Sequence, residues 1–149
     1  MRLRPTINQF LTSKKIAIAG VSRDPRKFGN VLYWTLVKKG YDVYPINPNA
    51  DTIEGNTCYH HLEDLPEDIK SLLVATSKND TESVIKDAIE KGFKNIWIQN
   101  GSETEAAINL AKEKEINLVT HCCILMYAEP KGFHRLHEMV SKLIGKYEV

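Results

Sequence analysis

Apolar and polar positions along this chain fall into two kinds of block that take turns. Short continuous apolar runs, as in Lys15-Ile-Ala-Ile-Ala19, Ser71-Leu-Leu-Val-Ala75 and Asn95-Ile-Trp-Ile-Gln99, read as strands covered on both faces. Between them the apolar residues recur every three or four positions, which is the helical period. Asn30 to Lys39 places Val31, Leu32, Trp34 and Val37 at that spacing, and Gly40 supplies a left-handed stop. A second helix carries Val84, Ile85, Ala88 and Ile89 on one stripe, with Asp80 as the expected N-cap and Gly92 as the stop. A third runs to Glu115 from a capping box read in Ser102 and Glu105. Asp42 to Ile46 and Ile116 to Thr120 complete a set of five strands. Short helical turns are expected at Thr6 to Leu11 and Leu62 to Leu65.

Parallel neighbours need crossover connections, and strand–helix alternation supplies them. The pattern predicts an α/β, Rossmann-like three-layer fold: a parallel five-stranded sheet in the order 3-2-1-4-5 with helices on both faces. In that order the crevice lies at the carboxyl ends of the first and fourth strands. The loops Gly20 to Asn30, Asn47 to Ala50, Ala75 to Asn79 and Gln99 to Ser102 converge there. Phe133, Leu136, Val140, Leu143 and Ile144 form a last stripe, expected to cover the sheet or to pair with a second subunit.

Length and composition narrow the classes. A chain of 149 residues with 42% hydrophobic content suits one domain with one substantial core. Twenty basic against nineteen acidic residues leave a net charge of +1, too little to recruit nucleic acid or an anionic membrane. The first residues lack the apolar run of a signal peptide and no stretch is long enough to span a bilayer, so a cytoplasmic location is expected. Cys58, Cys122 and Cys123 make an odd count, which argues against a disulfide framework.

The candidate chemistry begins where the first strand ends. Gly20 permits a sharp turn, Ser22 offers a hydroxyl, and Arg23, Arg26 and Lys27 bring cations to the same loop, so an anionic ligand is the expected partner. The dinucleotide fingerprint is incomplete. Ser22 stands at the second glycine position, and Ile46-Asn47-Pro48 offers no carboxylate for a ribose hydroxyl. No G-x-x-x-x-G-K-[ST] loop is present for a nucleoside triphosphate. NAD and ATP therefore rank below a polyphosphate ligand that needs neither device. His121, Cys122 and Cys123, with His134 and His137, could supply soft metal ligands or a nucleophile. No C-x-x-C supports the metal, and reduced cysteines are common core fillers.

Taken together, Ala19-Gly20-Val21-Ser22, Asp24-Pro25, Phe28-Gly29-Asn30-Val31, Gly40-Tyr41, Pro45-Ile46-Asn47-Pro48 and Ile96-Trp97-Ile98-Gln99-Asn100-Gly101 resemble the small CoA-binding-domain family. That family is similar to the amino-terminal domain of succinyl-CoA synthetase alpha subunits and of ADP-forming acyl-CoA synthetases. The resemblance covers residues 14 to 127 and leaves 128 to 149 as an extension. It implies CoA or acyl-CoA as ligand, with Gly20, Val21, Ser22 and Arg26 at the phosphates. Phe28, Gly29 and Asn30 would shape the helix start, Asn47 and Pro48 the second-strand turn. Ala75 and Thr76 would lie along the ligand, and Gln99 and Gly101 would face its pantetheine side. Two departures stand out: Asn49-Ala50 where the family often has a lysine, and His121-Cys122-Cys123 where it has Asp-Arg-Cys. The phosphohistidine and ATP-grasp segments of the synthetases have no counterpart in these 149 residues. A stand-alone binding protein (a sensor, carrier or regulator) is therefore expected ahead of a small NAD-linked or other nucleotide-dependent enzyme using His121 or a nearby cysteine.

Overall fold

The computed structural model describes residues 3–128. The stripe from Phe133 to Ile144, His134 and His137 lie outside the described residues. In chain order the elements are α1 (Leu3–Leu11), β1 (Lys15–Ala19), α2 (Phe28–Lys38), β2 (Asp42–Ile46), β3 (Thr52–Ile53), β4 (Asn56–Thr57), β5 (Ser71–Val74), α3 (Lys78–Lys91), β6 (Asn95–Gln99), α4 (Glu105–Glu113) and β7 (Asn117–Cys122). Single 3-10 turns occupy Leu62–Asp64 and Ile124–Met126.

Side-chain alternation on β1 divides the core. Ile16 and Ile18 face α1 and α2, packing with Phe10, Leu32, Leu36, Leu73 and Trp97. Ala17 and Ala19 face the other way, with Leu72, Val74, Ile96 and Ile98 against Ile85 and Ala88 of α3 and Ala107 and Ala111 of α4. Alanine on that side of β1 and on α3 and α4 lets the helices approach the sheet closely. The three-layer Rossmann-like class read from the alternation is the observed one, and all four pairings in the main sheet are parallel.

The order along the sheet differs from 3-2-1-4-5. It is β2-β1-β5-β6-β7, so the third principal strand lies against β1 and not outside β2. The reason is written in Pro45. A proline has no N–H for a ladder and is confined to edge strands, so β2 cannot carry principal strands on both sides. Asp42 is exposed and Val43 and Tyr44 are only partly covered, as suits an edge. Every residue of β5 is buried, as suits a strand with neighbours on both sides. The winding direction therefore reverses between β1 and β5, and the crevice opens at their carboxyl ends, not at those of the first and fourth strands.

Element boundaries also move. The helix α3 starts from Ser77, in extended conformation, and Asp80 sits in its first turn, bonded by Ser77 Oγ at 3.1 Å. Thr104, not Ser102, caps α4 by accepting from the Ala107 amide at 3.1 Å, while Ser102 is buried. The last strand begins one residue later and runs two further, to Cys122. The β3–β4 hairpin was not anticipated. Its Glu54-Gly55 tip has φ of +48° and +85°, the left-handed pair of a tight two-residue turn.

Candidate ligand-binding site

The carboxyl ends of β1 and β5 open into a cavity of about 910 Å³. Its floor is Ala19 with the turn Gly20, Val21 and Ser22. One wall is the start of α2, Lys27 to Gly29, and the turn after β2, Asn47 to Asn49. The opposite wall is the loop Ala75 to Ser77 with Asp80, Val84 and Asp87 along α3. His60, His61 and Leu62 close one end. A smaller cavity of about 340 Å³ shares His61, Leu62 and Asp87 with it and continues between the 3-10 turn and α3.

Backbone packs on backbone beneath this cavity. A Cβ on Gly29 would lie 2.1 Å from the Gly20 carbonyl oxygen, and one on Gly20 would lie 2.3 Å from that of Ala75. Gly20 also has φ of +111°, which side chains disfavour. The bare glycine at 20 thus serves the close approach of two loops at the cavity floor.

Two asparagines hold the turn in shape. Asn30 is fully buried; its Oδ1 accepts from the Ser22 amide at 2.8 Å and its Nδ2 donates to the Ser22 carbonyl at 2.7 Å. Asn47 donates from Nδ2 to the Val21 carbonyl at 2.9 Å, and its Oδ1 accepts from the Asn49 amide. Asn30 therefore positions the turn without lining the cavity. Asn30→Ala would leave both Ser22 backbone groups without this partner, at an expected cost of about 1–3 kcal/mol. Urea unfolding of the variant checks the figure, and an unchanged midpoint would mean that water replaces the amide without loss.

The cations divide. Arg26 closes its guanidinium on Asp24, at 3.0 Å from Nε and 3.1 Å from Nη2, is exposed, and is not among the lining residues. That guanidinium holds the Asp24 carboxyl below its ordinary range. Lys27 does line the cavity. It also precedes a helix whose N-terminus has no side-chain cap and no acidic residue in its first turn, an arrangement that favours anions.

Of the residues singled out by resemblance, Gly20, Val21, Ser22, Phe28, Gly29, Asn47, Pro48, Ala75 and Thr76 are brought together at the cavity. Gln99 and Gly101 are not. Gln99 is buried and its Oε1 accepts from the Ile124 amide at 3.1 Å, while the Gly101 amide donates to the Glu103 carboxylate. The sequence reading gives Lys27 only as one of three loop cations and Asp80 only as an N-cap, and it does not place His60, His61 or Asp87 at the site. Asp87 is legible only as the polar flank of the α3 stripe. Burial pushes the Cys58 and Cys122 thiols up, away from the thiolate form a nucleophile needs. Among the described residues, no group of three or more His, Cys, Asp or Glu side chains is placed to hold a metal ion. No helix among them is long and apolar enough to cross a membrane.

Comparison with known proteins bears on the family and the fold. Residues 14–129 match the CoA binding domain family. The chain belongs to that family. This CoA-binding domain is 29% identical over 103 residues to the ADP-forming acetate–CoA ligase II of Archaeoglobus fulgidus, covering 68% of the chain but only 15% of the ligase. The uncharacterized protein YneT of Bacillus subtilis is 26% identical over 112 residues, 75% of this chain and 83% of YneT. A conserved hypothetical protein from Pyrococcus furiosus superposes with a TM-score of 0.71 at 36% identity, over 74% of this chain and 96% of that one. The matched segment of this CoA-binding domain ends just past the last 3-10 turn and takes in the whole parallel sheet.

Proposed function

We propose that this domain binds CoA or an acyl-CoA in the cavity between β1 and β5, as a stand-alone binding module without turnover of its own. The observation that carries the reading is the joining, in one cavity, of the family's glycine turn with Lys27 and the open N-terminus of α2. That corner meets the requirement of a diphosphate for amides and a cation. The α3 wall suits a different part of the ligand. Asp80 and Asp87 repel phosphate, whereas Leu62, Val84 and Asp87 offer apolar surface and a proton acceptor to a base with an exocyclic amine. The adenine then lies between α3 and the 3-10 turn, the diphosphate lies at Lys27, and the pantetheine arm leaves over Thr76 toward β6.

Calorimetric titration of the ligand-stripped protein with CoA, acetyl-CoA, NAD and ATP in parallel tests the reading. The expected result is saturable micromolar binding of the CoA species alone. Binding of NAD without CoA would turn the reading to a nicotinamide-dependent enzyme. Lys27→Ala is expected to weaken CoA by roughly fivefold to tenfold, about 1 kcal/mol or slightly more, and by more than Arg26→Ala does. Equal losses from the two would move the diphosphate out toward the Asp24–Arg26 pair.

A further inference from the structure

Between Trp97 and Gln99 of β6 stands one residue, and between their partners Val119 and Cys122 of β7 stand two, so β7 carries a bulge. The inserted turn puts His121 at φ +61°, a left-handed conformation that residues with a Cβ disfavour. Bulges re-aim side chains, and this one leaves the imidazole 65% exposed at the carboxyl end of β7. Its Nδ1 lies 3.8 Å from Oε1 of Glu103, whose side chain is only 15% exposed. Glu103 is itself fixed, because both carboxylate oxygens accept from the Gly101 amide at 3.1 Å. With Nδ1 turned to a carboxylate, Nε2 is the basic nitrogen.

The position matches the reach of the ligand. From β1 to β7 is three strand spacings of about 4.8 Å, roughly 14 Å. A pantetheine arm is a chain of about a dozen bonds of about 1.3–1.5 Å, which reaches roughly 15 Å when extended. The path is braced: Thr76, in the cavity wall, is hydrogen-bonded to the buried Thr81 hydroxyl at 2.8 Å, and Thr81 donates to the Ser102 carbonyl at 2.7 Å. The cavity wall and the loop that holds Glu103 are thereby one connected piece.

We infer that His121, positioned by Glu103, is a base for the thiol of bound CoA. The inference rests on the CoA reading given above. The S–H bond breaks, its proton goes to Nε2, and the electron pair stays on sulfur, giving a thiolate beside an imidazolium that faces the Glu103 carboxylate. No other reactant is needed. Among the described residues Glu103 is the carboxylate at ion-pair distance from the ring, and along the chain the neighbours that titrate are Cys122, the last residue of β7, and Cys123, which follows it. An opposite charge within ~4–6 Å moves a pKa by about 1–3 units, which sets the size of the effect on the CoA thiol.

The test uses CoA labelled with carbon-13 next to sulfur, whose chemical shift reports thiol ionisation against pH in free and bound CoA. Calorimetry on each variant shows whether binding persists. In the unaltered protein the bound thiol should titrate about 1–2 pH units below free CoA. His121→Asn should return the midpoint to that of free CoA while binding remains saturable. Glu103→Gln keeps an acceptor for the Gly101 amide but removes the charge, and should give an intermediate midpoint. A bound thiol that titrates like free CoA overturns the inference while leaving CoA binding intact, as does a lowered midpoint that survives His121→Asn. Absence of CoA binding overturns both, and calorimetry separates that case from the others.

Discussion

Gly29→Ala is expected to weaken CoA binding by more than 100-fold. The added Cβ would sit 2.1 Å from the Gly20 carbonyl oxygen and 3.3 Å from the Val21 amide nitrogen. Both are backbone atoms, so no side chain can swing aside. Either α2 backs away from the turn or the turn leaves the crevice, and each separates Lys27 from Gly20 to Ser22. Overpacking of this kind costs about 1–3 kcal/mol in stability. A 100-fold loss in affinity corresponds to about 2.8 kcal/mol, since tenfold is about 1.4. Gly55→Ala is the control. Gly55 also has positive φ, at +85°, but nothing lies within 4 Å of its added Cβ, so the backbone conformation alone is penalised, by roughly 1 kcal/mol. Urea unfolding and calorimetry on the pair separate strain in a turn from blockage of the site. Binding within tenfold of the parent in a folded Gly29→Ala protein would place the ligand away from this turn.

The contact between Gly20 and Gly29 shows what the residues disclose by themselves. The two glycines were legible as special, because each stands at a strand end or helix start where regular structure gains nothing from glycine. That they touch each other and Ala75 follows from the fold, since residue 75 reaches β1 only when β5 lies beside it. The edge position of β2 was legible too, in Pro45, but an argument from alternation alone does not weigh one missing N–H. The roles of Arg26 and Lys27 were not separable in sequence. They are adjacent cations, and only the fork closed on Asp24 distinguishes the one that is occupied. Gln99 was the reverse case: the resemblance implies a place on the ligand's pantetheine side, whereas its amide oxygen accepts from the Ile124 backbone inside the protein. His60 and His61 come to the cavity because Tyr59 pairs with the backbone of Pro45 and Asn47, a contact across a dozen residues with no periodic signature.

Trp97→Ala should destabilise the domain by about 3–5 kcal/mol, the usual cost of emptying a site of this size in a core. Trp97 is fully buried, packs edge-on to Phe10 at 5.4 Å between ring centroids and tilts toward Tyr127 at 6.2 Å. It thus joins α1, the interior strand β6 and the turn after β7. Its indole has a second role. Nε1 donates to the Cys122 carbonyl at 3.0 Å, directly after the bulge that carries His121. Trp97→Phe separates the two roles, keeping a buried ring while losing that hydrogen bond, at about 1 kcal/mol. The Cys122 carbonyl still accepts from the Asn100 amide at 3.3 Å, so no acceptor is orphaned. Thermal unfolding should show a large drop in Tm for the alanine variant and a small one for phenylalanine. If phenylalanine costs as much as alanine, the indole hydrogen bond and not the packing secures the end of β7, and the aim of His121 depends on a single bond in the core.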